Sequence, residues 1–439
     1  MQMCRGLLTA VAAGLALGAG CRPAEPPEFT PGPGVLELTE GVDPQEEADV
    51  YKMLRGLQDQ IADILAERVG TPEKIKMLGN PHVDEAQLKR GYELFTQYCV
   101  QCHGVNGDGN GPLADYLNPR PRDYTAGIFK FVATDNGSKA RRSDIVGTLY
   151  RGVTGTSMPS FDEFSEKDRE AVADYVLALT FRGLLQSELA QIAYDDEELP
   201  ETEGIDEIVE ELLEPWHAAN EEVVMPLSPM PPMSPETVAK GKELFIQYSC
   251  HKCHGEDGRG SMFGGVEVGE DAWGYEASAA DLTSGMFRGG GRPIDIYRRV
   301  LVGINGAPMP SRRADLAEAP DAIWYIVHYI KEIGEKRRNE TVRNTLAGLK
   351  RLGDTAEEQL ETDEDVEADE PASSDESAAA NDDDSPDSET EASDDDESES
   401  ADADSADAEP ADAETEGDAS DEADDAPAEE TEDAAAEAA

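Results

Sequence analysis

The hexapeptide CVQCHG occupies residues 99–104, and a near-copy, CHKCHG, follows at 250–255. The chain has 439 residues but only six cysteines, and four of them form these two Cys-x-x-Cys-His sequences. The other two, Cys4 and Cys21, lie in or beside an apolar N-terminal run, so no disulfide framework remains. Each Cys-x-x-Cys-His sequence is therefore expected to hold something within its own segment.

The two hexapeptides occupy the same place in an internal repeat, which predicts two copies of one small domain. One extra residue, Ser249, precedes the second hexapeptide. Three pairs of segments align: KRGYELFTQYCVQCHG (89–104) with AKGKELFIQYSCHKCHG (239–255), RDYTAGIFK (122–130) with ADLTSGMFR (280–288), and DIVGTLYRGVTGTSMPS (144–160) with DIYRRVLVGINGAPMPS (295–311).

One spacing is kept while the others vary. From His103 to Met158 there are fifty-five residues, and from His254 to Met309 there are again fifty-five. From the histidine to the aspartate of the middle segment there are twenty residues in the first copy and twenty-seven in the second. A histidine and a methionine that keep their separation while loops change are expected to meet at one object.

Each copy is predicted to begin and end with a helix. Ser165 opens an S-x-x-D helix start in the first copy, and apolar residues recur at helical spacing after it. Gly91 and Gly241 lie within the leading helices, where glycine costs about 1 kcal/mol relative to alanine, which predicts a close helix crossing at each. The predicted fold class is mainly α.

Cys-x-x-Cys-His is the attachment sequence of c-type haem, whose vinyl groups form thioethers with the two cysteines while the histidine approaches the iron. A Cys₄ zinc site is disfavoured because each cysteine pair has its own histidine and its own later methionine. A thioredoxin-like redox pair needs a strand before its helix, and the leading segments are helical. The sequence therefore predicts two covalently bound haem c groups.

Both copies resemble class I cytochrome c domains, over about 81–186 and 236–345. The matching features are the leading helix, CxxCHG, a Gly-rich turn, a Met-Pro loop and a closing helix. The resemblance implies that Gly91 crosses the helix of Tyr175 and that Gly241 crosses the helix of Trp324. It also implies a proximal histidine and a distal methionine as iron ligands, so the expected haem-binding residues are Cys99, Cys102, His103 and Met158, and Cys250, Cys253, His254 and Met309.

Further residues of the haem surroundings carry weaker expectations. In that family a proline carbonyl often accepts the other ring N–H of the ligand histidine. Pro112 has a suitable place in the first copy, whereas Phe263 stands there in the second. His328 is predicted to be a half-exposed helix residue. Four arginines either neutralise haem propionates or belong to a solvated surface: Arg120, Arg122, Arg288 and Arg292.

The N-terminus indicates export. Residues 1–21 have a charged start, a short apolar run and small residues before Cys21, as in a secretory signal. The ending LGAGC resembles a bacterial lipoprotein signal, in which Cys21 becomes lipidated; ordinary secretion is the alternative. Residues 22–80 are predicted to be a tether followed by a helix, and 187–235 a linker with one short helix.

The C-terminal segment 354–439 contains forty Asp and Glu and no Lys or Arg, so it carries −40 of the net charge of −60. It has no aromatic residue and cannot bury enough apolar surface to offset the entropy of ordering. It is predicted to be a disordered acidic tail.

Together, these expectations predict what the protein does. The chain is predicted to be an electron carrier rather than an enzyme, extracytoplasmic (periplasmic), tethered to a membrane through Cys21, and to relay electrons between redox protein partners, with no role for nucleic acid. Two alternatives stay open: a di-haem cytochrome c peroxidase, and the cytochrome subunit of a larger membrane respiratory complex.

Overall fold

A computed structural model describes residues 27–79, 83–260, 268–317 and 319–364, all of which belong to one compact unit. The predicted signal with Cys4 and Cys21 lies outside the described residues. So do Phe263 and residues 365–439 of the predicted acidic tail.

The described residues form helices and no strands, with only isolated bridges between single residues, which confirms the mainly α fold. Short 3₁₀ turns lie at Ala114–Tyr116 and Leu282–Ser284. The helices are α1 (Pro33–Glu37), α2 (Ala48–Arg68), α3 (Glu85–Tyr98), α4 (Val100–His103), α5 (Arg142–Arg151), α6 (Glu166–Asp196), α7 (Thr202–Ala218), α8 (Pro235–Gln247), α9 (His251–His254), α10 (Pro293–Val302), α11 (Arg313–Leu316) and α12 (Ala322–Glu364).

In the first repeat, the leading helix α3 crosses the closing helix α6 at Gly91. A Cβ atom on Gly91 would lie 2.3 Å from the carbonyl oxygen of Ala171 and 2.7 Å from Cβ of Tyr175. Any larger residue would push the two helices apart, so the predicted crossing is confirmed. Phe95 and Tyr175 pack beside it with their ring centroids 5.2 Å apart.

The same crossing occurs in the second repeat, between α8 and α12. A Cβ atom on Gly241 would lie 1.9 Å from the carbonyl oxygen of Tyr325 and 2.9 Å from Cβ of Tyr329. Trp324 lies on the same helix, as predicted. The apolar stripe of α12 is buried, and burying one large aliphatic side chain contributes about 1.5–3 kcal/mol; the stripe consists of Ile323, Ile326, Val327 and Ile330.

Helix α6 is longer than the repeat it closes. It begins at the predicted place, where the Ser165 hydroxyl accepts the backbone N–H of Asp168 at 3.1 Å. It continues to Asp196, past the predicted boundary at 186. The extra turns pack against α1, where a Cβ atom on Gly34 would lie 3.5 Å from Cβ of Ala190. Helix α2 also packs on α6, and its buried residues are Leu57, Gln58, Ile61 and Leu65.

The segment predicted to be a linker also packs on the first repeat. Trp216 of α7 lies with its ring centroid 5.1 Å from that of Phe181 and 6.2 Å from that of Phe129. After α7, Val224 donates its backbone N–H to the carbonyl of Ala133 at 2.8 Å. The chain between the repeats is therefore bound along the first repeat for much of its length.

Helix α12 extends to Glu364, so residues 354–364 of the segment predicted to be disordered are helical. The prediction that His328 is half-exposed is wrong. This residue of α12 is 3% exposed, and its Nδ1 lies 2.9 Å from the hydroxyl of Thr237, because the start of α8 packs over it. Across the described ranges, no helix has the length and apolar character needed to cross a membrane.

Candidate cofactor sites

Both Cys-x-x-Cys-His sequences fold into the same helical turn, α4 in the first repeat and α9 in the second. The backbone N–H of His103 donates to the carbonyl of Cys99 at 2.9 Å, and that of His254 donates to Cys250 at 3.0 Å. Residues three and four apart on a helical turn are neighbours, so each turn brings two thiols and one imidazole together. All four thiols are free: Cys99, Cys102, Cys250 and Cys253.

Each histidine has a backbone carbonyl as its partner. Nδ1 of His103 lies 3.1 Å from the carbonyl oxygen of Arg122, and Nδ1 of His254 lies 3.1 Å from that of Ala280. A carbonyl oxygen only accepts, so Nδ1 carries the proton and Nε2 keeps a lone pair for a metal. The prediction that Pro112 supplies this carbonyl is wrong. Arg122 and Ala280 are equivalent positions of the repeat, so the partner is the same in both copies.

The turn that presents this carbonyl is built by the Asp-x-Thr sequence after it. Oδ1 of Asp123 accepts the backbone N–H of Thr125 at 2.7 Å and its hydroxyl at 2.6 Å. Oδ1 of Asp281 accepts the same two groups of Thr283 at 2.9 and 2.6 Å. Because the turn is fixed by the residues that follow, the carbonyl is supplied equally well by an arginine or an alanine. The repeated Asp-x-Thr was the sequence signal for it.

Burial keeps the imidazole and the first thiol of each Cys-x-x-Cys-His turn uncharged. It lowers the pKa of His103 to about 4 and lowers the pKa of His254, so both imidazoles are neutral at pH 7. It raises the pKa of Cys99 to about 12 and also raises that of Cys250. Neutral imidazole is the form that coordinates a metal.

The methionine loops are also held alike. The carbonyl of Met158 accepts the backbone N–H of Val153 at 3.1 Å, and the carbonyl of Met309 accepts that of Ile304 at 3.2 Å. Each pair closes a loop of the same length in the two repeats. Both methionine side chains are half-buried.

The serine after each Met-Pro pair ties the loop to the preceding helix. The hydroxyl of Ser160 donates to the carbonyl of Tyr150 at 2.7 Å, and that of Ser311 donates to the carbonyl of Leu301 at 3.0 Å. Tyr150 and Leu301 are equivalent positions at the ends of α5 and α10. The repeated Met-Pro-Ser is therefore one structural device used twice.

In the first repeat these groups line one cavity, whose empty volume including its mouth is about 1190 Å³. The cavity brings together all four residues predicted for the first repeat: Cys99, Cys102, His103 and Met158. In the second repeat, 261–267 follow the histidine turn and lie outside the described residues.

The two histidines have different neighbours. The ring of His103 stacks on buried Tyr124, with centroids 4.8 Å apart, and Tyr124 stacks in turn on Phe129. Leu282 occupies the position of Tyr124 in the second repeat, and His254 there is half-buried. Sequence reasoning did not single out this aromatic stack.

Two of the four arginines suggested for propionates, Arg120 and Arg122, line the first cavity. Arg292, the residue before α10, instead pairs with Asp295 of that helix at 2.8 Å. The donors therefore fit a covalently attached haem: paired free thiols, a neutral imidazole with its Nε2 available, and a thioether lining the same cavity in the first repeat.

Comparison with known proteins gives the same family. The family model described as Cytochrome c matches residues 88–180 and 238–334. The chain is 28% identical over 147 residues to the quinohemoprotein alcohol dehydrogenase ADH-IIG of Pseudomonas putida, covering 33% of this chain and 17% of that protein. It is 32% identical over 66 residues to cytochrome c1 of Rhodobacter capsulatus, covering 14% of this chain and 24% of that protein.

The chain thus spans about a quarter or less of the length of these curated relatives. Among solved structures, the reducing HAO-like protein complex of Kuenenia stuttgartiensis is similar, with 28% identity and a TM-score of 0.43. That match covers 56% of this chain and 96% of the other. Residues 88–180 and 238–334 are thus two cytochrome c domains in tandem, and they bind two covalent haem c groups.

Proposed function

We propose that this protein relays single electrons between redox partners, using His103 with Met158 as the iron ligands in the first domain and His254 with Met309 in the second. Haem iron with both axial positions filled by His and Met alternates between ferrous and ferric without binding a substrate, and the methionine raises its potential. The chain's own contribution is to attach, orient and partly enclose each haem.

One observation carries this proposal: the two domains hold their histidine and their methionine loop in the same backbone frame. Both histidines donate Nδ1–H to equivalent carbonyls at 3.1 Å. Both methionine loops are tied by equivalent serines. A peroxidase needs one haem that differs from the other by an open distal side, and this equivalence argues against it.

An optical redox titration with carbon monoxide tests the proposal. We expect two one-electron transitions, one per haem, and no spectral change when carbon monoxide is added to the reduced protein. Carbon monoxide binding to either haem, or rapid turnover of hydrogen peroxide, would instead indicate the di-haem peroxidase.

The proposal includes export and a lipid tether at Cys21, supported by the N-terminal sequence pattern. Mass spectrometry of the mature protein is expected to find a lipidated Cys21 as its first residue. The Cys21→Ser variant is expected to release haem-loaded protein in soluble form; an unmodified N-terminus in the native protein would argue for ordinary secretion.

A second candidate is a cytochrome subunit that serves a larger redox enzyme. It is favoured by the match to part of an enzyme whose name combines a quinohaem protein with alcohol dehydrogenase activity. Purification of the native protein from gently solubilised membranes distinguishes the two. A stoichiometric dehydrogenase or membrane partner supports the subunit, and isolation of this chain alone supports the tethered relay.

A further inference from the structure

The second domain has an insertion that the first lacks, between its histidine and the Asp-x-Thr turn. The described residues before the Asp-x-Thr turn in this longer segment, 268–279, fold on themselves. The backbone N–H of Asp271 donates to the carbonyl of Tyr275 at 2.8 Å, and Oδ1 of Asp271 accepts the backbone N–H groups of Trp273 and Tyr275, each at 3.1 Å. Trp273 is thus held by a turn that needs no contact with the first domain.

Trp273 nevertheless lies against the first haem site. The guanidinium carbon of Arg122 is 3.6 Å from the centroid of the Trp273 ring. Beside it, Nζ of Lys130 lies 2.8 Å from Oδ2 of Asp271, whose side chain is only 8% exposed. A cation on an aromatic face is held more strongly when both are withdrawn from water. Arg122 is also the residue whose carbonyl holds His103.

The other side of the insertion contacts the methionine loop of the second domain. The backbone N–H of Ala272 donates to the carbonyl of Gly306 at 3.0 Å. A Cβ atom on Gly306, at φ 64°, would lie 2.8 Å from a ring carbon of Trp273. Gly306 precedes Met309 by three residues. One indole ring therefore lies between the histidine side of the first site and the methionine loop of the second.

Around this ring the two domains meet through equivalent surfaces. The segments of one domain that contact the other are the same segments of the repeat in both. Arg299 adds a hydrogen bond from its guanidinium to the carbonyl of Lys130 at 3.0 Å. The pairs that lie opposite each other are Gly155 with Met286, Gly306 with Ile128, and Gly289 with Phe131.

We propose that Trp273 is a positioning residue for electron transfer between the two haems, because it clamps the domains and so fixes the separation of their cofactors. This inference rests on the proposed relay function. In the step concerned, one electron passes from a ferrous to a ferric iron, and no bond forms or breaks. Such a transfer slows steeply with distance, so a side chain that sets the domain spacing sets the rate.

The indole N–H has no partner among the described residues, which indicates that the ring face and not its hydrogen-bonding group makes the contact. A phenylalanine at this position is therefore expected to preserve the clamp, and an alanine to remove it. Tyr275 supplies a matched control, since its ring is 44% exposed and its contact with the first domain is a distant one, with the guanidinium of Arg120 5.6 Å from its centroid.

The experiment uses the full haem-loaded protein, reduced by about half an equivalent in a light pulse, and follows how fast the electron redistributes between the haems. We expect Trp273→Ala to slow redistribution at least about tenfold, as misplaced reacting groups do. Trp273→Phe and Tyr275→Ala are expected to stay near the wild-type rate. Small-angle scattering is expected to show a larger radius for Trp273→Ala alone.

Redistribution at the wild-type rate in Trp273→Ala would overturn the clamp. If that variant takes up fewer than two haems, Arg122→Gln provides the test, since it removes the stacked guanidinium and keeps the carbonyl that holds His103. Slow redistribution in Arg122→Gln supports the clamp, and an unchanged rate overturns it. Failure of the relay itself is distinguishable, because the wild-type protein would then show no redistribution at all.

Discussion

The first and the second haem sites share a backbone and differ in what surrounds it. His103 is buried and stacks on Tyr124, whereas His254 is half-buried and has Leu282 in the same place. The hydrogen bond that orients each histidine is nevertheless the same in both, 3.1 Å from Nδ1 to the carbonyl oxygen. Orientation of each histidine therefore depends on the Asp-x-Thr turn, while the side chains beside it differ between the two sites.

The largest effect is expected from removing one methionine at a time. Met158→Ala and Met309→Ala each take away one proposed distal ligand, so each variant is expected to bind one equivalent of carbon monoxide where the wild type binds none. The potential of that haem is expected to fall by at least about 0.1 V, within the roughly 0.8 V range that axial ligands span. Carbon monoxide difference spectra and optical redox titration measure both.

If Met158→Ala binds carbon monoxide and Met309→Ala leaves the second haem unchanged, the two sites are not equivalent in ligation. The two haem sites would then differ in their ligands as well as in their neighbouring side chains, and Met309 would not be a ligand.

The helix crossings give the next largest effect. Gly91→Ala and Gly241→Ala each place a methyl group against a backbone carbonyl, at 2.3 and 1.9 Å before any movement. Overpacking costs roughly 1–3 kcal/mol, more than the about 1 kcal/mol that alanine gains over glycine in a helix. Urea unfolding is expected to show a net loss for both, larger for Gly241→Ala. A stabilised variant would show that the crossing is looser than described. Gly348→Ala in α12 is the control, with no heavy atom within 4 Å.

A smaller difference is expected in acid, from the two equivalent aspartates. Burial raises the pKa of Asp123, so its ionised carboxylate costs folding stability above the folded pKa, and that cost is relieved as the pH falls through it. Burial also raises the pKa of Asp281, but hydrogen bonds from Thr283 and Arg337 outweigh it, and the net pKa lies below the usual 3.8. The stability from Asp281 is present above its unfolded pKa and is lost as the pH falls through the folded one.

Acidification to about pH 3 is therefore expected to loosen the second turn before the first. Amide exchange, corrected for intrinsic rates, should show reduced protection near Thr283 relative to Thr125. Asp281→Asn is expected to remove the pH dependence at the second turn. Equal loss of amide protection at both turns would contradict the difference between the pKa shifts of Asp123 and Asp281.

The smallest effect is expected from the serines of the methionine loops. Ser160→Ala and Ser311→Ala each remove one hydroxyl-to-carbonyl bond, of 2.7 and 3.0 Å. A single hydrogen bond contributes about 1 kcal/mol, so each variant is expected to bind added imidazole several times more readily by displacing its methionine. Optical titration with imidazole measures this. An effect in only one domain would show that the two methionine loops do not hold their methionines equally firmly, although their hydrogen bonds are equivalent.

Several features were predictable from the sequence. The fixed spacing of His103 and Met158, and the glycines at the crossings, follow from local constraints that the repeat displays twice. The carbonyl that accepts from each histidine was not predictable from its own residue type, because Arg122 and Ala280 share no side chain; only the Asp-x-Thr sequence after it marks the position. The role of Trp273 was not predictable either, since it depends on how two domains meet, which periodicity within one domain does not report.

The reciprocal contacts between the domains have an evolutionary consequence. Surfaces in which Gly155 faces Met286 while the equivalent Gly306 faces Ile128 are those of a twofold homodimer, so duplication and fusion would have joined two subunits that already paired. In a true homodimer every change appears twice. The extra residues near Trp273 occur in one half only, and so do the seven extra residues between Asp123 and Asp144 of the other half, so both halves have diverged since the fusion and are no longer equivalent.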